Sequence, residues 1–288
     1  MKNLLILLIL FLFGFDHVKS IQDSFGFIKT YYAVQSDPNY KCVACLTYSK
    51  DLELLSILNR EFKKTPYIKA SAFVIKQTNS KTILSTSYHV CESLKEFKND
   101  KKFKDLGDKL MKDAFGTSLF LNTEITKQYK LRPKVSVLEF NGTVHNINNI
   151  IFENPENDIC FIESEDNWGK KVLFSDEQCL YEKIYNMSAS GGFYEPSAVV
   201  LREGYVNNIV KETKVDDNVY KNHMLYTLYV LPGASGSGVF NVKGKLCGNV
   251  NISYAKIGVS FGASSKTIQE LLQNFLNSPL GSSYAFQE

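Results

Sequence analysis

Three residues in this 288-residue sequence have the types and settings that nucleophilic catalysis needs. Ser235 lies at the centre of LPGASGSGVF (Leu231–Phe240), where three glycines interrupt an apolar run. His89 ends LSTSYH, just beyond a strand-like segment, and Asp158 opens the apolar stretch DICFIE. A serine hydroxyl is a weak nucleophile at neutral pH until a base takes its proton. The base in turn needs a third group to fix its tautomer and stabilise its cation. Backbone N–H groups must also face the oxyanion that forms. Gly233 lets the backbone turn its amides toward one point, and Gly236 lets the chain leave sharply. Each piece alone is weak: Gly-x-Ser-Gly is common in turns, a lone histidine beside a strand is more often structural, and aspartate is an ordinary turn residue. The order His, Asp, Ser in matching contexts carries the reading. A nucleophile elbow of the G-x-S-x-G kind does not fit, because a strand-like VFNV follows Ser235 where that motif has a helix.

Other chemistries find less support. Cys42, Cys45, Cys91, Cys160, Cys179 and Cys247 form an even set that an exported protein can pair as disulfides, and their spacing does not choose the pairing. CVAC (Cys42–Cys45) offers half of a tetrahedral zinc site, but no second CxxC or His pair completes it. The pair reads instead as a disulfide or as free thiols. The net charge of +3 is too balanced to argue for nucleic acid or an anionic membrane as partner. Sequons at Asn141, Asn186 and Asn251 matter only where the host glycosylates exported chains.

Short strands must position these residues. Residues 1–20 read as a secretory signal, with Lys2, an apolar run from Leu4 to Phe13, and Val18 and Ser20 at the −3 and −1 positions of a cleavage site. The run is shorter than the about 20 residues that cross a membrane, and no later stretch is long and apolar enough. The expected location is secreted or periplasmic, with no stable membrane association after cleavage; a retained leader would act as an anchor. Residues 21–66 read as an N-terminal extension with a helix from Ser49 to Phe62. From 67 to 288 strand texture dominates: SAFVIK and TILSTS around the polar QTNSK, then KVSVLEFNGTVHNINNIIF with the hairpin signal Asn141-Gly142. DICFIE, EKIYNMSA, SAVVLREGYVNNIV, HMLYTLYVL, SGVFNV and KLCGNVNI follow. A charged insert from Leu94 to Phe115 has Phe97, Phe103, Leu106 and Leu110 at helical spacing, and a closing helix runs from Ser264 to Leu276. Many short strands separated by turns predict an all-β antiparallel sandwich or barrel in one domain.

Several of these segments, in register, resemble the trypsin-like serine proteases, most closely the HtrA/DegP-type branch, over about Ala70–Asn277. SAFVIKQTNSKTILSTSYHV is similar to the hairpin that ends in that family's catalytic histidine. VLEFNGTVHNINNIIFENPENDICFIE is similar to its hairpin and aspartate-bearing strand. REGYVNNIV, PGASGSGVFNVKGKLCGNVN and KIGVSFGASSKTIQELL resemble the strand before the nucleophile, the nucleophile turn, and the closing strand and helix. The resemblance implies a chymotrypsin-like fold: two six-stranded antiparallel β-barrels with an N-terminal helical extension, an inserted helix and a C-terminal helix. It implies Ser235 as nucleophile, His89 as general base and then acid, Asp158 as orienting carboxylate, and the N–H groups of Gly233 and Ser235 as oxyanion hole. The implied activity is that of an exported serine endopeptidase acting on proteins or peptides through an acyl-enzyme, without a metal or organic cofactor. The alternative on the same fold is a catalytically inactive homologue that serves as a binding module. Tyr229, Val230 and Leu231 before the turn, with Asn249 and Asn251 on the facing wall, are the expected substrate-binding positions. Their lining suggests a small or aliphatic residue before the scissile bond. Ala234 stands where digestive-type relatives carry an aspartate that receives a newly formed N-terminal ammonium, so no activation of that kind is expected. Gly238 stands where proline is frequent. The sequence ends at Glu288, which leaves no room for the PDZ domain of HtrA proteins, so a protease domain without one is expected.

Overall fold

The computed structural model describes residues 19–36, 68–99, 129–215 and 218–285. The helix expected from Ser49 to Phe62, the Cys42–Cys45 pair and most of the charged insert lie outside the described residues. The chain divides into two compact units. The first comprises Met1–Ile28, Lys69–Cys91 and Ser136–Glu288, and it contains every candidate site residue. The second comprises Lys29–Ile68 and Glu92–Val135; within it the Ile68 N–H donates to Thr30 Oγ1 at 2.9 Å, and Leu94 and Phe97 are buried.

Six strands close the first barrel. They are β1 (Phe25–Ser36), β2 (Lys69–Gln77), β3 (Thr82–Thr86), β4 (Tyr129–Glu139), β5 (Val144–Asn154) and β6 (Ile159–Ser164), in the order β1-β2-β3-β6-β5-β4. The β2–β3 hairpin turns through the polar QTNSK, with the Thr78 N–H donating to Lys81 O at 2.9 Å. Asn141-Gly142 makes the β4–β5 turn, where Asn141 Oδ1 accepts the Thr143 N–H at 2.8 Å. β6 is buried along its whole length, which is why ICFIES is nearly continuous in apolar residues rather than alternating. β1 lies within the stretch read as an extension. Phe25 and Phe27, two apart on one face, nevertheless pack into the core beside Phe73, Ile83 and Phe161.

The second sheet has eight strands: β7 (Leu173–Phe174), β8 (Lys183–Ser188), β9 (Val200–Val215), β10 (Asn218–Tyr226), β11 (Gly238–Asn241), β12 (Lys245–Asn249), β13 (Ile252–Tyr254) and β14 (Val259–Ala263). Their order is β13-β14-β10-β9-β8-β11-β12-β7. The short β7 and β13 add to the six strands of the expected barrel. A bridge between Gly248 and Ser264 brings the end of β12 back to the end of β14, so the sheet curls toward closure. The fold is thus mostly β, of the chymotrypsin-like double-barrel kind. One apolar cluster runs through Ile159 and Phe161 of the first barrel, Met187, Phe240 and Leu246 of the second sheet, and the closing helix. That helix (Ser265–Leu276) begins where expected: Ser264 is its N-cap, with Oγ accepting the Thr267 N–H at 3.1 Å, and Ile268, Leu272 and Phe275 are its buried face.

Glu163 of β6 is 1 % exposed. Burial pushes its pKa up, but hydrogen bonds from Lys81 Nζ (2.8 Å), Tyr284 Oη and Asn149 Nδ2 (3.4 Å) outweigh burial and hold it below the ordinary value of 4.5. Tyr284 belongs to a short terminal helix (Ser282–Ala285), so this carboxylate also pins the end of the chain to the barrel. A folded-state pKa below the unfolded one gives stability that is complete above about pH 4.5 and is lost as pH falls through the folded value. Lys81→Met is expected to cost about 2 kcal/mol at neutral pH, by leaving a buried acceptor short of a donor. It should also flatten the fall in melting temperature below about pH 4.5, which thermal scans followed by circular dichroism will read.

Candidate active site

The helix α1 (Tyr88–Asn99) starts directly after β3, and His89 lies in its first turn. The first N–H groups of a helix have no partners within it, and this helix has no acidic residue in its own first turn. Asp158 supplies the missing acceptor from beyond β5: its Oδ1 takes the His89 N–H at 3.0 Å. The same carboxylate faces the imidazole, with Nδ1 3.1 Å from Oδ1 and 2.9 Å from Oδ2. A carboxylate can only accept there, so Nδ1 carries the ring proton and Nε2 presents its lone pair. The Asp158 side chain is 2 % exposed and that of His89 43 %, so a buried acid orients an accessible imidazole.

The backbone places Asp158. Pro155–Asn157 form a single 3-10 turn, capped by Asn154 Oδ1 accepting the Asn157 N–H at 2.9 Å, and Asp158 ends the turn at φ 50° and ψ 49°. Aspartate visits this left-handed region more readily than most L-residues. Cys91 and Cys160, two residues beyond His89 and Asp158 respectively, form a buried disulfide that staples the pair from behind. Cys179 and Cys247 form a second one.

Ser235 lies in a turn held from two sides. From β2, the Ser71 N–H donates to Ser235 O at 3.0 Å, and Ser71 Oγ donates to Gly233 O at 2.8 Å while accepting the Ala189 N–H at 2.9 Å. From the other side, the Gly236 N–H donates to Val250 O at 2.7 Å and the Val250 N–H to Ser237 O at 2.9 Å. Two further carbonyls are tied back into the protein. Pro232 O accepts the Gly191 N–H at 2.9 Å, and Ala234 O accepts the N–H and Oγ of Ser237 at 3.0 and 2.6 Å. In a trans peptide the N–H points opposite to the carbonyl, so the amides of Gly233 and Ser235 face the other way. Neither donates to any group among the described residues.

The glycines of the turn are needed sterically. Gly233 has φ +100° and Gly236 φ +84°. A Cβ on Gly233 would lie 2.4 Å from Ala189 O, and one on Gly236 would lie 2.2 Å from Thr86 Oγ1. Gly236 therefore does more than sharpen the exit of the chain: it lets the turn lie against the β2–β3 hairpin. At Gly238, where proline is frequent in relatives, a Cβ would meet the Phe240 ring at 2.7 Å. Ala234 is 1 % exposed and packs among Val230, Val239, Val250 and Tyr226, surroundings that suit no charge.

A cavity of about 200 Å³ opens beside Ser235. Val230, Leu231, Pro232, Ala234 and Val250 give it an apolar lining, with Asn251 and Ser253 as polar members. Ser253 Oγ is occupied, donating to Val230 O at 2.8 Å. Asn251 connects the cavity to the His–Asp pair. Its Oδ1 accepts from Ser87 Oγ (2.8 Å) and Asn249 Nδ2 (2.6 Å), and its Nδ2 donates to Asn157 O at 3.1 Å. Ser87 and Asn157 directly precede the segments that bear His89 and Asp158.

Val230, Leu231 and Asn251 thus lie at the cavity, whereas Tyr229 and Asn249 lie elsewhere. Successive residues of an extended segment point opposite ways. Val230 turns inward, so Tyr229 turns outward; it is 47 % exposed and has the Arg202 guanidinium 5.7 Å from its ring centroid. Asn249 is fully buried, with Oδ1 accepting the Ala263 N–H at 2.8 Å, and it ties β12 to the end of β14. The sequence does not flag Ser71, Ser87 and Ser253; Ser87 and Ser253 each lie two residues from a candidate, His89 and Asn251, whereas Ser71 lies inside β2 and carries no such signal.

The other histidines of the described residues have structural settings. His145 lies between Glu139 Oε1 (2.7 Å) and Asp166 Oδ2 (3.1 Å), stacked on Trp168. His223 is fully buried, with Nδ1 donating to Lys221 O at 3.0 Å, and burial holds its pKa below the ordinary value. Among the sequon asparagines, Asn141 is exposed, while Asn186 and Asn251 are buried with their amides hydrogen-bonded.

Comparison with known proteins follows from this geometry. Residues 70–248 match the family model described as a trypsin-like peptidase domain. Comparison with curated protein sequences gives no match. Among solved structures, the chain is similar to an inactive mutant form of Rv3671c from M. tuberculosis H37Rv, with TM-score 0.53, 10% identity and 91% of each chain covered. It is similar to Deg5, with TM-score 0.53, 14% identity, and 90% of this chain and 91% of that one covered. It is also similar to the serine endoprotease from Yersinia pestis, with TM-score 0.55, 9% identity, and 92% of this chain and 67% of that one covered. At these identities the likeness concerns the fold.

The Cys91–Cys160 staple closes a sequence separation of 69 residues. Replacing both cysteines by alanine is expected to cost about 4 kcal/mol on the chain-entropy account, read from urea unfolding with the Cys179–Cys247 bridge intact.

Proposed function

The chain belongs to the trypsin-like peptidase family, and on that premise we propose that it is an exported serine endopeptidase with Ser235, His89 and Asp158 as its catalytic triad. The observation that carries this reading is the contact of the Asp158 carboxylate with Nδ1 of an accessible His89, in the same unit as a nucleophile turn whose Pro232, Gly233, Ala234 and Ser235 carbonyls are engaged and whose Gly233 and Ser235 amides are not. Residues 1–20, with their apolar run and small-residue cleavage site, support export.

In this mechanism Ser235 Oγ attacks the scissile carbonyl carbon while His89 Nε2 takes the hydroxyl proton. Asp158 holds the tautomer and stabilises the imidazolium without itself taking the proton. The oxyanion is met by the N–H groups of Gly233 and Ser235, which need no reorganisation because their peptides are already fixed. The tetrahedral adduct collapses, the C–N bond breaks and His89 returns its proton to the departing amine. Water, deprotonated by the same imidazole, then cleaves the acyl-enzyme and frees Ser235. The apolar cavity suits a small or aliphatic side chain before the scissile bond. Asn251 and Ser253 spend their polar atoms on the protein and offer a charged side chain no partner.

A fluorophosphonate probe is expected to label the wild-type protein and to lose its target in Ser235→Ala. Asp158→Asn should lower kcat by about 10⁴-fold, because an amide can donate to Nδ1 and so hold the wrong tautomer while the geometry is kept. A folded protein that neither labels nor cleaves would be the inactive homologue that binds in its cleft. In peptide series, kcat/KM for valine or alanine before the scissile bond should exceed that for arginine or glutamate by roughly tenfold or more. The reverse order would remove the cavity from its assigned role.

A further inference from the structure

The apolar cavity lies on one flank of the nucleophile turn. Val250, Asn251 and Ser253 line the cavity beside Ser235, and Gly236 bonds to Val250 on that flank. A second flank is β2, whose Ser71 bonds to Ser235 O and Gly233 O. With the acyl side of a substrate seated toward Val250, the leaving amine departs over β2. Lys69, the first residue of β2 and exposed, lies there. Its side chain runs across Gly192, where a Cβ would come 2.6 Å from Lys69 Cδ and 3.1 Å from Nζ. Gly192 in turn packs on the oxyanion turn, with its N 3.0 Å from the position a Cβ on Gly233 would take. The Lys69 ammonium makes no ion pair or hydrogen bond among the described residues.

We propose that Lys69 is a specificity-determining residue that reads an acidic side chain in the first two positions after the scissile bond. This rests on the serine-peptidase reading above. Gly192 is part of the device, because the absence of a side chain there is what lets the lysine stem lie beside the turn and point its charge at the leaving segment. The cavity selects by shape and apolarity on one side of the bond, and Lys69 selects by charge on the other. An exposed ion pair of this kind is worth up to about a fivefold preference, and it weakens as salt screens it.

The test uses internally quenched peptides that share one residue before the scissile bond and carry glutamate, alanine or lysine in the two positions after it. Wild-type protein is expected to rank them glutamate, alanine, lysine in kcat/KM, with the spread shrinking in about 1 M salt. Lys69→Glu should reverse the ranking and Lys69→Ala should flatten it. Gly192→Ala should also reduce the preference, by displacing the lysine stem. A flat ranking in wild-type protein that still labels at Ser235, or a glutamate preference that persists in Lys69→Glu, overturns the role of Lys69 while leaving the peptidase reading intact. Absence of both labelling and cleavage overturns the peptidase reading, and this inference with it.

Discussion

The hydroxyl of Ser71 makes two hydrogen bonds at once, and the geometry around Ser235 depends on both. It donates to Gly233 O and accepts from the Ala189 N–H, while the backbone N–H of the same residue holds Ser235 O. All of these groups are buried or nearly so. A buried backbone carbonyl without a partner costs about 1 to 3 kcal/mol, so the turn has few conformations in which nothing is orphaned. The conformation that satisfies its carbonyls is the one that leaves the Gly233 and Ser235 amides unspent. Preorganisation at this site is therefore a by-product of ordinary hydrogen-bond satisfaction. The donors are fixed before any substrate arrives, which is when a preorganised dipole is worth most.

Asp158 shows the same economy. Its carboxylate meets the ring of His89 and also the N–H of the same residue in the first turn of α1. An acid near a helix N-terminus contributes roughly 0.3 to 1 kcal/mol. That is too little to hold a side chain by itself, but it restricts where the carboxylate can sit. The left-handed backbone at Asp158, the Asn154 cap and the Cys91–Cys160 bridge supply the rest of the restraint. Asn251 then ties Ser87 and Asn157 to the cavity that Ser235 lines, so both halves of the site share one buried amide network.

Much of the fold is legible in the sequence where local signals are strong. The Asn141-Gly142 turn, the fully buried run of β6 and the Ser264 cap each state their structure in a few residues. β1 is less legible because it follows the apolar run Leu4–Phe13 closely and has no turn motif to set it apart; Phe25 and Phe27 mark its buried face. The positions of His89, Asp158 and Ser235 are legible from order and context. The lining of the cavity is not, because it depends on which face of an extended segment turns inward. Tyr229 and Val230 are adjacent and both favour strands, yet of the two only Val230 lines the cavity. Asn249 and Asn251 are the same residue type two positions apart on one strand-like segment. Long-range pairing with Ala263 gives one of them to the sheet, and pairing with Ser87 and Asn157 gives the other to the site.

Ala234 shows how a small residue constrains mechanism. Its neighbours are apolar and its burial is nearly complete, so a carboxylate in that place would pay desolvation among apolar side chains. What fixes the turn instead is a set of neutral bonds: Ser71 to Gly233 and Ser235, Gly191 to Pro232, Ser237 to Ala234, and Gly236 to Val250. None of these requires a new chain end or a change of charge. The geometry of the Gly233 and Ser235 amides is therefore coupled to β2 and to Val250, the residue after β12. A shift of either neighbour would reach the turn directly: β2 through Ser71, and the cavity side through Val250.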